Sequence, residues 1–200
     1  MKKLFIIGGM GAGKSTARKA LVDAGLPFID LDQVGHDVLK WDTVKEELIE
    51  TFGPTILGDD GEIDRATLAA RAFVSPADTR KLNRITVPRI EDAYTDRLAE
   101  LEAAGSEAVI IEYSVFKSRQ SSLAYDADVV MAVLAPLDMR IERAVASGFD
   151  EQDVRRRIAR QITDADRIEA SDVVFNNDGT PDELRNKVLA WWEDYRASVA

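Results

Sequence analysis

Two periods of apolar residues run through the chain. Five short unbroken apolar runs, at residues 4–7, 28–31, 108–111, 129–134 and 173–175, have the make-up of strands buried on both faces. Between them, apolar positions recur every three or four residues, the spacing of amphipathic helices. Strands that alternate with helices predict right-handed crossovers. The expected architecture is therefore α/β: a three-layer fold with a mostly parallel five-stranded sheet and helices on both faces.

The longest interval between runs is helical where it is periodic. Residues 43–52, 65–73 and 76–104 read as helices, the last with Leu82, Ile85, Ile90, Tyr94, Leu98 and Leu101 at apolar positions. Pro88 is expected to kink or split that helix, because proline cannot donate to the preceding turn. Gly53-Pro54 and Gly58-Asp59-Asp60-Gly61 mark turns. The chain thus reads as a single domain over residues 1–200, with a helical substrate-side insertion near 43–104.

Beyond the fourth run, residues 137–146 and 151–162 read as helices separated by Ser147-Gly148-Phe149-Asp150, a hinge or break. The second helix carries Arg155, Arg156, Arg157 and Arg160, and Arg140, Arg143 and Arg167 lie further off. Residues 138–163 therefore have the character of a lid that closes over a triphosphate and neutralises developing charge. Consecutive arginines on a helix point in different directions, and Arg157 and Arg160 are the chosen candidates. Thr180-Pro181-Asp182-Glu183 offers an N-cap, a proline at the first helical position and two first-turn acids, so 181–197 should form a closing helix packed down by Trp191 and Trp192.

The 200 residues are 46% apolar and 31% charged, enough for one sizeable core. Net charge is −10, from 26 Lys and Arg against 36 Asp and Glu, which disfavours a nucleic-acid surface. With no Cys and His36 as the only His, thiolate chemistry and multi-His metal sites are excluded, so any metal should have oxygen ligands. The four strongly apolar residues after Met1-Lys2-Lys3 are too few for a secretory or membrane segment. A cytoplasmic protein is expected, a monomer or weak homo-oligomer acting on a small molecule, with no nucleic-acid or membrane partner.

The strongest motif is Gly8-Gly9-Met10-Gly11-Ala12-Gly13-Lys14-Ser15, a GxxxxGKS loop between an apolar run and a helical pattern at 16–24 that ends at Gly25. Glycines let the backbone N–H groups of Gly9, Met10, Gly11, Ala12 and Gly13 curl around phosphates. The helix opening at Lys14, Ser15 and Thr16 adds the positive end of its dipole. Lys14 should reach the β- and γ-phosphates of ATP, and the Ser15 hydroxyl should ligate Mg²⁺.

The motif leaves the phosphoryl acceptor open. Asp30-Leu31-Asp32 stands at the end of the second run, the carboxyl edge where open α/β sheets bind ligands. Asp32 could accept a hydroxyl proton or hold a metal-bound water, or these acids could simply cap the following helix. Asn186-Lys187 is followed by Val188-Leu189, so the guanine motif of a GTP switch is missing. The third run ends Ile110-Ile111-Glu112-Tyr113 and lacks the terminal Asp of motor ATPases; Glu112 could face metal, substrate or solvent.

Taken in order, these pieces resemble the dephospho-CoA kinase family over nearly the whole chain. The matching segments are the glycine loop through Thr16, Phe28-Ile29-Asp30-Leu31-Asp32 with Gly35-His36, and Phe52-Gly53. They continue with Asp60-Gly61-Glu62-Ile63-Asp64-Arg65 and Leu68, Phe73, Leu82-Asn83-Arg84-Ile85, and Pro88. Last come Arg157-Ile158-Ala159-Arg160-Gln161 and Asp172-Val173-Val174-Phe175-Asn176-Asn177-Asp178-Gly179. The resemblance implies a P-loop kinase fold and phosphorylation of the ribose 3′-hydroxyl of dephospho-CoA by ATP, giving CoA and ADP. It puts the catalytic aspartate at Asp32, Arg157 and Gln161 in the lid, and Asn177 and Gly179 beside the adenine through backbone groups. His36 would assist the acceptor.

Three segments depart from the family pattern. Val87 stands before Pro88 where a His is usual, and Ser114-Val115-Phe116-Lys117-Ser118 replaces Pro-Leu-Leu-Phe-Glu. Ser147-Gly148 replaces an Arg-Asp or Arg-Asn pair. Three readings stay open: a divergent member of the family, another small-molecule kinase for nucleosides or nucleoside monophosphates, and an ATP-binding paralogue with weak or no catalysis.

Overall fold

The first apolar run becomes β1 (Lys2–Gly8), and its Leu4, Phe5, Ile6 and Ile7 are at most 1% exposed. Each such side chain contributes about 1.5–3 kcal/mol on leaving water, which is why a strand with neighbours on both sides and helices on both faces can be apolar without alternation. The structure, a computed structural model, describes residues 1–199. It contains two compact units: Met1–Asp30 with the chain from Leu101 onward, and Leu31–Glu100.

In the first unit β1 lies at the centre of a five-stranded parallel sheet, between β3 (Ala108–Glu112) and β4 (Val129–Leu134). The edges are β2 (Phe28–Asp30), beside β3, and β5 (Val173–Asn176), beside β4. The chain crosses from one side of β1 to the other between β3 and β4, so the carboxyl end of β1 is the switch point of the sheet. One face is covered by α1 (Lys14–Asp23) and α9 (Pro181–Val199), whose Ala17, Ala20, Leu21, Leu184, Val188 and Trp192 share a core with Leu4 and Ile6. Trp192 is buried, while Trp191 stacks on Tyr195 at 5.2 Å between ring centroids. Thr180 and Glu183 cap α9 reciprocally: the Glu183 N–H donates to Thr180 Oγ1 at 3.2 Å and the Thr180 N–H to Glu183 Oε2 at 2.8 Å.

The second unit is helical: α2 (Leu31–Val38), α3 (Asp42–Phe52), a 3-10 turn at Pro54–Ile56, α4 (Arg65–Ala72) and most of α5 (Pro76–Ala103). Val38, Val44, Leu48, Ile56, Leu68 and Ile85 form its core. The Asp64 side chain caps α4 by accepting from the Thr67 N–H at 2.6 Å. An antiparallel bridge between Leu57 and Ile63 closes the turn at Gly58 to Gly61.

Beyond shifts of a residue or two at element ends, the structure departs from the sequence reading at several places. Leu31 opens α2 instead of ending a strand: its neighbour β3 stops at Glu112, the register partner of Asp30, so residue 31 has nothing to pair with. Pro88 does not split α5, which runs unbroken for 28 residues. Ile85 and Ile90, on either side of the proline, pack on the same core and offset the lost backbone bond. The arginine-rich helix α7 (Glu151–Ala159) ends before residue 162, and α8 (Asp164–Ala170) follows it, opened by a Thr163/Asp166 capping box that the sequence reading overlooked. The closing helix continues to Val199. The break at Ser147 to Asp150 is present, between α6 (Leu137–Ala146) and α7, with Gly148 at φ 92° and Asp150 capping α7.

Candidate active site

The glycine loop joins β1 to α1 at the carboxyl end of the central strand. Gly11 and Gly13 sit at φ 73° and 104°, backbone that L residues rarely adopt. No side chain caps α1 and no acid lies in its first turn, so its N-terminal N–H groups and dipole face the loop uncompensated by carboxylate. Lys14 reaches back along the loop and donates to the Gly8 carbonyl at 3.1 Å. The Ser15 side chain stands exposed at the same helix end.

Three side chains, Asn177 and Arg140 buried and Gln161 partly so, hold the loop from outside. Asn177, just past β5, donates through Nδ2 to the Ala12 carbonyl at 2.8 Å, while its own N–H donates to the Leu134 carbonyl at 2.7 Å. Arg140 on α6 donates through Nε to the Met10 carbonyl at 3.0 Å, and Gln161 accepts from the Met10 N–H at 3.1 Å. Arg140 also faces Asp164 at 3.4 Å, and Asp164 pairs with buried Arg167 at 2.6 Å. Burial lowers the Arg140 pKa from the usual arginine value; Asp164 opposes that shift and Arg167 adds to it. A guanidinium remains a cation there.

These contacts explain the glycines. A Cβ on Gly11 would land on the Arg140 backbone carbonyl, one on Gly9 on the Arg140 guanidinium, and one on Gly13 on the Asn177 amide.

The sequence-predicted residues divide by where the structure puts them. Gly9, Met10, Gly11, Ala12, Gly13, Lys14, Ser15 and Thr16 form the loop and the first turn of α1. Arg157 and Arg160 line a cavity of about 580 Å³ with Met10 and Lys14. Arg157 is also held by Asp153 at 2.6 Å and lies 5.8 Å from the Phe149 ring centroid. Asn177 and Gly179 follow β5, and Arg143 binds both their carbonyls, at 3.1 and 3.3 Å. Asp32 is the second residue of α2, in the helical unit, rather than on the strand face that Asp30 occupies. There His36 contacts Arg65 at 2.5 Å through Nε2, which must accept from the guanidinium. Glu112 is largely buried and pairs with Arg18 of α1 at 3.0 Å.

Sequence reasoning missed the bracing roles of Arg140, Asp164 and Asn177. The Thr163/Asp166 capping box was the readable signal that a separate helix, carrying Asp164 and Arg167, follows the arginine cluster. Among the described residues no cluster of three or more His, Cys, Asp or Glu could hold a metal. A lone exposed serine hydroxyl at an uncapped helix end fits Mg²⁺, which usually takes one or two protein oxygens and completes its shell with phosphates and water. Among the described residues no helix is long and apolar enough to cross a membrane.

The chain as a whole is similar to known proteins. Residues 4–183 match the family model for dephospho-CoA kinase. The chain is 40% identical over 187 residues to a dephospho-CoA kinase of Corynebacterium efficiens, covering 92% of each. It is 34% identical to one of Corynebacterium diphtheriae, covering all of both chains. Among solved structures, a Thermus thermophilus protein superposes with a TM-score of 0.82 at 25% identity, over 96% of this chain and 97% of that one. A dephospho-CoA kinase from Campylobacter jejuni shares the fold at a TM-score of 0.65 and 19% identity, over 96% of each chain.

Proposed function

The chain belongs to the dephospho-CoA kinase family, and from that membership we propose that it transfers the γ-phosphoryl group of ATP to the ribose 3′-hydroxyl of dephospho-CoA, releasing CoA and ADP. The observation that carries this reading is the family match over residues 4–183, which includes both the nucleotide loop and the helical unit.

The roles follow from the chemistry of each side chain. Backbone N–H groups from Gly9 to Thr16 and the Lys14 ammonium bind the donor phosphates and stabilise the negative charge that builds on the transferred group. The Ser15 hydroxyl would hold Mg²⁺, which would supply further charge neutralisation. Asp32 accepts the proton from the acceptor hydroxyl as the new O–P bond forms. Arg157 and Arg160 offset charge from the lid side. Asn177 and Gly179 belong to the segment beside the adenine, and Asn177 also keeps the glycine loop in shape.

The test is ADP release from Mg-ATP with dephospho-CoA, beside a panel of nucleosides and nucleoside monophosphates. Turnover with dephospho-CoA that collapses in Asp32→Asn supports the proposal. Turnover with another acceptor and none with dephospho-CoA would show a kinase that has changed its acceptor.

A further inference from the structure

The cavity beside the glycine loop carries one cation that the reading above leaves unused. Its wall includes Lys14 from α1, Arg157, Arg160 and Arg167 from the segment after α6, and Lys117 from the loop after β3. No Asp or Glu lines it among the described residues. Arg157 is engaged by Asp153, Arg167 by Asp164, and Lys14 by the Gly8 carbonyl.

Lys117 and Arg160 differ from these. Both are exposed, and neither side chain has a hydrogen bond or an ion pair among the described residues. Two unpaired cations on separate elements facing one acid-free cavity give that cavity a positive field suited to an anion.

We propose that Lys117 and Arg160 form a two-sided clamp on a phosphate group of the bound substrates. The proposal rests on the kinase reading and deepens it by naming residues that select for substrate phosphate. Two sources share that chemistry: the ATP polyphosphate and the pyrophosphate of dephospho-CoA. A lysine beside a mobile phosphate acts as a point charge with three donors, and a guanidinium opposite it adds a planar fork.

The experiment measures KM for ATP and for dephospho-CoA separately in wild type, Lys117→Gln, Lys117→Arg and Arg160→Gln. Titration of wild type and both Gln variants with inorganic tripolyphosphate is added, because it needs no acceptor. Each Gln variant is expected to raise one KM by about tenfold, the usual effect of losing one charge-assisted contact, with Lys117→Arg restoring most of it. A raised ATP KM with weakened tripolyphosphate binding assigns the clamp to the donor. A raised dephospho-CoA KM with unchanged tripolyphosphate binding assigns it to the acceptor. If both KM values and tripolyphosphate affinity stay within about twofold in both Gln variants, the clamp is overturned, even if kcat falls. Should wild type fail to use dephospho-CoA while Lys117→Gln still loses tripolyphosphate, the acceptor assignment falls and the donor-side clamp stands.

Discussion

Asn177 Nδ2 donates to the carbonyl of Ala12 across 165 residues of chain, a buried bond of 2.8 Å that ties the turn after the last strand to the loop after the first. The Ala12 carbonyl is shielded there from water, so deleting the amide strands an acceptor and opens a small void. Asn177→Ala should cost about 1–3 kcal/mol in urea or thermal unfolding and raise the KM for ATP severalfold. Unchanged stability together with an unchanged KM would remove this bond from the account of the loop.

The glycines of the loop should respond unequally to an added methyl. Gly11→Ala must displace the Arg140 backbone and adopt φ 73°, so a loss of at least about a hundredfold in kcat/KM is expected in a protein that still folds. Gly25 also has positive φ, at 98°, but nothing lies within 4 Å of its would-be Cβ. Gly25→Ala should therefore lose about 1 kcal/mol of stability and no activity. Parallel assays of the two variants separate backbone strain from steric exclusion at the site.

Lys14→Ala should reduce kcat by at least about a hundredfold, since it removes a charge aimed at the transferring phosphoryl group, and Asp32→Asn should fall by about 10²–10⁴ as a proton acceptor is lost. The two losses differ in kind. Lys14→Ala should weaken ADP binding in a titration, whereas Asp32→Asn should leave it unchanged.

Asp128 links acid sensitivity to the sheet. Burial pushes its pKa up, but the Lys3 N–H at 2.8 Å and the Lys2 ammonium at 2.9 Å outweigh that and hold it below the ordinary value near 3.8. A carboxylate with a depressed folded-state pKa stabilises the fold fully above its unfolded value and loses that contribution as pH falls through the folded one. The stability difference between wild type and Asp128→Asn should thus be constant at neutral pH and shrink below about pH 4. Denaturant midpoints measured from pH 7 to pH 3 give the curve directly.

The sheet was readable because parallel strands buried on both faces are written as unbroken apolar runs. Residues 129–134 match the observed fourth strand at both ends. The glycine loop was readable because phosphate binding is done by backbone, and few residue types permit that backbone. The bracing side chains were not. Asn177 reads locally as turn chemistry, and Arg140 as one more arginine on a polar helix, because the carbonyls they serve lie 165 and 130 residues away. Periodicity reports which face of a helix is apolar but says nothing about which distant carbonyl a buried arginine will meet. Pro88 misled in the opposite direction, since local chemistry argued for a break and long-range packing overrode it.

The order of strands in the sheet also sets the order in which the protein can be completed during synthesis. β1 leaves the ribosome first, yet its partners are β3 and β4, which begin at residues 108 and 129. Its apolar side chains must wait, unpaired, while the whole helical unit is made. The glycine loop, spelled within the first fifteen residues, gains its Ala12 anchor only when Asn177 arrives. A nascent or truncated chain that ends before that residue carries the nucleotide motif in full and still lacks the brace that shapes it.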